Sequence, residues 1–111
     1  MPTADDLYEL LIAAERHDDW VFPILDESDT QEKQDSKLKA SKLLVVYGLF
    51  EQLNERSVRL TGQGHDALAV IAYEGGWETF KSKIPKRLAS RFKHALKFST
   101  QRMSANILSQ M

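Results

Sequence analysis

The order of turn and cap signals between Gly48 and Thr61 limits the folds open to this chain more than any other feature. A helical pattern ends at Gly48, a residue type common just past a helix end. Two short β-type runs, residues 49–53 and 58–60, flank the polar segment Asn54–Ser57, which indicates a tight turn. Thr61 follows directly and is a good N-cap for another helix. A helix, a hairpin and a helix in this order are the layout of a winged helix-turn-helix. The helix before Gly48 would be its recognition helix.

Helices are predicted before this unit as well. Thr3 is a good N-cap for a first helix over about residues 4–16. The apolar run at residues 20–25 contains Pro23, so it can form an edge strand or a packed loop. A second helical region should then run to about Tyr47. The predicted class is therefore mostly α with a small antiparallel β-wing, α+β.

The last third of the chain is also predicted to be helical. Its apolar residues recur at helical spacing, beginning with Trp77, Phe80 and Ile84, and basic residues surround them. We expect a winged-helix domain over residues 1–76 and a basic helical extension over residues 77–111. That extension either packs on the domain or serves self-association as a homodimer.

Composition excludes several classes of protein. The 111 residues contain no cysteine, so disulfides and thiolate metal sites are excluded. No apolar run approaches the roughly 20 residues that span a bilayer, and the N-terminus lacks the basic region of a signal peptide. We expect a soluble, cytoplasmic protein that does not bind membranes.

Enzyme chemistry is not expected either. The three histidines, His17, His65 and His94, are scattered without metal-ligand spacing, and no motif for a nucleophile or a phosphate-binding loop is present. We therefore predict a non-enzymatic protein with no cofactor and no metal.

Charge is divided sharply along the chain. Residues 1–75 carry 7 Lys/Arg and 15 Asp/Glu, whereas residues 76–111 carry 8 Lys/Arg and one acid, Glu78. Such a division favours a polyanionic partner for the basic end, or contact between the two ends in the fold. The acidic residues 1–35 would repel DNA, so a DNA-binding face must lie elsewhere.

The segment from Arg59 to Ile71, RLTGQGHDALAVI, carries a family resemblance, with Trp77 just beyond it. It resembles a family of small uncharacterised bacterial and phage winged-helix proteins whose signature is approximately LTWxGHxFLDxI followed by Trp. Upstream, residues 40–49 partly match that family's HLxLLxxAGL helix. The resemblance covers residues 36–80, and Gly62, Ala67 and Ala40 stand where the family has Trp, Phe and His. It implies a winged-helix fold and a phage or prophage origin, and it implies no activity.

The DNA-binding prediction rests on the helix before Gly48. A helical wheel places Ser36, Ala40, Leu43, Leu44 and Tyr47 inward, and Leu38, Ser41, Lys42 and Val45 outward. Lysines on this helix can hold phosphates, although its outward face presents no Arg, Asn or Gln to read base edges. The candidate contacts, including two from the hairpin, are Lys37, Lys39, Ser41, Lys42, Arg56 and Arg59.

A secondary basic patch is predicted in the C-terminal region. Its members are Lys83, Lys86, Arg87, Arg91 and Lys93. The leading hypothesis is a small DNA-binding or DNA-associated regulatory protein that contacts double-stranded DNA. The alternative is a protein–protein interaction module that uses the same scaffold without DNA, since fold does not fix function.

Overall fold

The structure is a computed structural model that describes residues 3–24, 27–84 and 92–97. It is mostly helical with a small three-stranded antiparallel sheet, an α+β arrangement. The elements in chain order are α1 (Ala4–Arg16), β1 (Val21–Pro23), α2 (Gln31–Val46), β2 (Phe50–Asn54), β3 (Ser57–Leu60), α3 (Gly62–Tyr73) and α4 (Trp77–Lys81). Residues 92–97 are also helical. No helix in these described ranges is long and apolar enough to cross a membrane.

The predicted first helix is confirmed, and its cap explains where it begins. The Thr3 hydroxyl accepts a hydrogen bond from the Asp6 amide, while the Asp6 carboxylate accepts one from the Thr3 amide. This reciprocal pair satisfies backbone donors that a helix start otherwise leaves open. The apolar face of α1, including Leu7 and Leu11, is fully buried.

The sheet has the strand order β1-β3-β2, with β3 in the centre. The run around Pro23 is thus an edge strand, as one of its two predicted forms required, and Pro23 lies opposite Ser57. The hairpin formed by β2 and β3 is also confirmed. Val58 and Leu60 are buried, so the inner face of β3 packs on the helices and its other face meets solvent.

Described parts of the C-terminal third belong to the same hydrophobic core. Phe80 and Phe92 are fully buried, and Leu96 is nearly so. Trp77 stacks on Tyr8 of α1 with ring centroids 4.4 Å apart. Side chains from both ends of the sequence therefore stabilise one core.

The orientation of α2 corrects the wheel. Ser41, predicted to face outward, is 1% exposed, and Leu38 and Val45 are half-buried, whereas Ser36 is exposed. The reason is that α2 contacts α1 on one side and β2 on another, so two separate flanks are covered. The spacing of apolar residues predicts only one buried face. It cannot show that the small hydroxyl side chain of Ser41 fits a second buried face.

Candidate functional site

The end of α2 is held firmly against the base of the hairpin. Gly48 adopts a left-handed φ of +80°, which ends the helix and turns the chain into β2. The Thr61 hydroxyl donates a 2.7 Å hydrogen bond to the Gly48 carbonyl and accepts one from the Gly64 amide. One threonine thus ties the end of α2 to the start of α3, and it fixes α2 relative to the hairpin.

One stripe of exposed residues at helical spacing runs along the solvent-facing side of α2. This outer stripe consists of Asp35, Lys39, Lys42 and Val46, all exposed. Val46 is 75% exposed, the most exposed of the large hydrophobic side chains in the described ranges. Sequence reasoning missed Val46, although its spacing of four from Lys42 was the available signal.

A groove separates α2 from the hairpin, with a volume of about 490 Å³. This hairpin groove is lined by Ile24, Leu38, Ser41, Lys42, Gln52, Asn54 and Glu55. It brings Lys42 to the same opening as the hairpin turn. The Ser41 hydroxyl has no hydrogen-bond partner among the described residues, but Ser41 lies too deep to reach a macromolecular surface.

The hairpin turn is organised by its own polar side chains. The Asn54 carboxamide oxygen accepts a 2.8 Å hydrogen bond from the Arg56 amide, and the Gln52 side chain donates to the Asn54 and Ser57 carbonyls. Arg56 is exposed in this turn. Arg59 lies opposite Glu51 on β3, on the sheet face away from buried Val58. Arg56 therefore lies in the exposed turn of the hairpin, and Arg59 lies on the exposed face of the sheet.

Lys37 is engaged within the protein. Its ammonium Nζ lies 2.5 Å from Oδ2 of Asp29, and only 21% of its side chain is exposed. Lys33 lies 3.4 Å from the other carboxylate oxygen. The hydrogen bond from Lys37 holds the pKa of Asp29 below its ordinary value of 3.8, against the opposing effect of burial. Lys37 therefore stabilises the loop before α2, and its ammonium is engaged by a carboxylate in this structure.

The secondary basic patch is only partly described. Lys83 pairs with the buried carboxylate of Glu74, and the Lys93 ammonium lies 5.6 Å from the centre of the Tyr47 ring. Lys86, Arg87 and Arg91 lie outside the described residues. The structure thus assigns both described members an intramolecular contact.

Comparisons of this chain with protein-family models, curated proteins and solved structures return no match.

Proposed function

We propose that the chain is a winged-helix protein that binds duplex DNA, with α2 as the recognition helix and the β2–β3 hairpin as the wing. The order of helices and strands and the central position of β3 support this assignment. The observation that carries it is the hairpin groove, where Lys42 of α2 and the turn of the hairpin share one opening. In the described ranges, α2 is the helix between β1 and β2, and it packs against α1. In this assignment α1 is therefore the helix that supports the recognition helix.

Three of the exposed cations are proposed as phosphate contacts: Lys39 and Lys42 of α2 and Arg56 of the hairpin turn. Each neutralised phosphate contributes about −0.9 to the slope of log K against log salt, so the slope should be about −2.7. The outer stripe offers no Arg, Asn or Gln to a base edge, and nearby Asp35 and Glu55 repel the backbone. The proposed binding is therefore weak, sensitive to salt and largely independent of sequence.

Fluorescence anisotropy with a labelled random-sequence 30-base-pair duplex tests this proposal. Between 50 and 200 mM salt, we expect the affinity to fall with the slope given above. The double variant Lys39→Ala and Lys42→Ala should reduce that slope by about 2. The matched control, Arg16→Ala with Lys33→Ala, removes the same charge away from the proposed face and should leave the slope unchanged. Absence of binding at 50 mM salt, or an equal loss in the control, would reject the proposal.

A second candidate function is protein binding without DNA, and the exposure of Val46 favours it. An aliphatic side chain 75% exposed beside two lysines is suited to an apolar contact with another protein. Phe80 and Phe92 are already buried within the chain, so self-association through residues 77–111 would have to use other side chains.

Light scattering of wild-type protein and of Val46→Ser tests this second function. If a dimer forms through α2, it should persist at high salt and dissociate in the variant, because burial of an aliphatic group is barely screened by ions. A dimer unaffected by Val46→Ser, or a monomer in both samples, would contradict an α2-mediated dimer.

A further inference from the structure

A second groove lies on the opposite flank of α2, between α2 and α1, with a volume of about 550 Å³. Its floor is apolar and is formed by Leu10, Ala13, Phe22 and Ala40. Leu10 and Ala40 are buried, whereas Ala13 and Phe22 keep part of their surface accessible. This α1–α2 groove thus offers an apolar depression large enough for several side chains.

The rim of this groove is acidic. Asp6 and Glu9 contribute from α1, and Glu32 contributes from the first turn of α2. The two lysines at the rim, Lys33 and Lys37, are already paired with Asp29. Glu9 and Glu32 are exposed, and neither belongs to an ion pair within the described ranges. The carboxylates that face solvent are therefore uncompensated, and they favour a cationic ligand.

We propose that the α1–α2 groove binds a short basic peptide segment of a partner protein. Aliphatic side chains of that segment would enter the apolar floor, and its Lys or Arg side chains would lie beside Glu9 and Glu32. An apolar anchor supplies most of the affinity in such grooves, and charges around it select the partner. The same carboxylates would repel a nucleic acid, so this site has a different class of ligand from the proposed DNA-binding face.

The two sites are independent because they use different sides of α2. Lys33, Ser36, Lys37 and Ala40 line the α1–α2 groove, whereas Leu38, Ser41 and Lys42 line the hairpin groove. At 100° per residue the centres of these two sets lie roughly 140° apart around the helix. Failure of DNA binding would therefore leave the peptide proposal standing, and the reverse also holds.

Titration of the ¹⁵N-labelled full chain with synthetic peptides tests the proposal. The probe is a seven-residue peptide of alternating lysine and leucine, and its two comparison peptides replace leucine with serine or lysine with glutamate. We expect the lysine–leucine peptide to shift the amide resonances of Ala13, Phe22 and Ala40. The serine and glutamate peptides should bind at least tenfold more weakly, because one lacks the apolar anchor and the other has the wrong charge.

Paired charge reversals supply the control. Glu9→Lys with Glu32→Lys should weaken the lysine–leucine peptide roughly tenfold, since two attractive contacts become repulsive. Glu51→Lys with Glu55→Lys makes the same change of net charge on the hairpin and should alter binding less than twofold. All four side chains are exposed, so the variants should fold.

Several results would overturn the proposal. Equal binding of the lysine–serine peptide would show that charge alone acts and that the apolar floor has no role. Resonance shifts centred on the hairpin, or equal loss in both charge-reversal variants, would place binding elsewhere. Concentration-dependent shifts of the same residues without peptide would assign the groove to a second copy of the chain. Absence of binding at millimolar concentrations of the lysine–leucine peptide would show that the groove does not bind this class of ligand.

Discussion

The indole Nε1 of Trp77 donates a 2.8 Å hydrogen bond to Oδ1 of Asp5. The same ring stacks on Tyr8, one helical turn further along α1. Trp77 thus joins the start of α4 to the first two turns of α1, with one polar and one aromatic contact. Neither contact could be predicted from sequence spacing, because both partners are distant in the chain and Asp5 lies 72 residues before Trp77.

Replacement of this indole should measurably weaken the fold. Trp77→Phe keeps an aromatic ring but removes the hydrogen bond to a carboxylate, and we expect a loss of about 1–2 kcal/mol. Urea unfolding followed by circular dichroism measures it. Trp20→Phe is the matched control, because Trp20 is 49% exposed, and it should cost less than about 0.5 kcal/mol. Equal losses in both variants would contradict a specific role for the Trp77–Asp5 bond.

The ion pair of Asp29 with Lys37 predicts a particular dependence of stability on pH. A carboxylate whose pKa is lowered by folding stabilises the native state above its unfolded pKa, and this contribution is lost as pH falls through the folded pKa. Asp29→Asn should therefore lower the urea midpoint at pH 7, and its difference from wild type should shrink as the pH falls below about 4.

Unfolding curves between pH 7 and pH 2.5 measure this effect. Glu15→Gln, which removes an exposed acid outside the pair, serves as the control and should run parallel to wild type. A deficit in Asp29→Asn that persists unchanged at pH 2.5 would show that the side chain stabilises the loop by something other than its charge.

Lys83 should be necessary for full stability of the fold because the carboxylate that it pairs with is buried. The side chain of Glu74 is 2% exposed, and Lys83→Ala would remove the ion pair between this carboxylate and Lys83. Removal of one partner of a buried pair costs about 3–5 kcal/mol. Because 37% of the Lys83 side chain meets solvent, we expect about 2–3 kcal/mol here.

A double-mutant cycle isolates this pair. Glu74→Gln combined with Lys83→Met should recover part of the loss, since no unpaired charge is then buried. Lys42→Ala removes an exposed lysine and should change stability by less than about 0.5 kcal/mol. Strict additivity in the cycle would argue against a direct interaction.

Two neighbouring glycines provide a matched test of packing at the start of α3. A Cβ on Gly64 would lie 2.4 Å from the Leu49 carbonyl oxygen and 2.4 Å from Cδ1 of Leu60. The carbonyl is backbone and cannot move aside, so Gly64→Ala should cost about 2 kcal/mol or more. Gly62 has open space at the same position, and Gly62→Ala should stabilise the protein by about 0.5–1 kcal/mol. Thermal unfolding of the two variants should thus shift the midpoint in opposite directions.

Local signals in the sequence predicted most of the secondary structure. Thr3 and Thr61 were predicted as caps from residue type, and Gly48 was predicted as a helix end. These predictions succeed because a cap is made by residues within four positions of each other. For the run around Pro23, the sequence left two forms open, an edge strand or a packed loop. It could not choose between them because the pairing with β3 is a tertiary contact.

The candidate site was predicted less well, and α2 shows why. Its lysines are spaced so closely that no clear apolar face stands out. The spacing therefore could not predict reliably which side of α2 faces the core. Ser41 was expected at the surface and is buried, and Lys37 was predicted to contact phosphate and is paired with Asp29. Both outcomes depend on what packs against α2 from distant parts of the chain, which the pattern of a single helix does not contain.

The contacts between α1 and Trp77 can form only after the ribosome has made both partners. Ribosomes add about 5–20 residues per second, so the 72 residues from Asp5 to Trp77 take roughly 4–14 s to make. During that interval Asp5 and Tyr8 lack the indole that they contact in the folded protein. The nascent chain therefore exposes apolar surface for seconds before its last contacts can form.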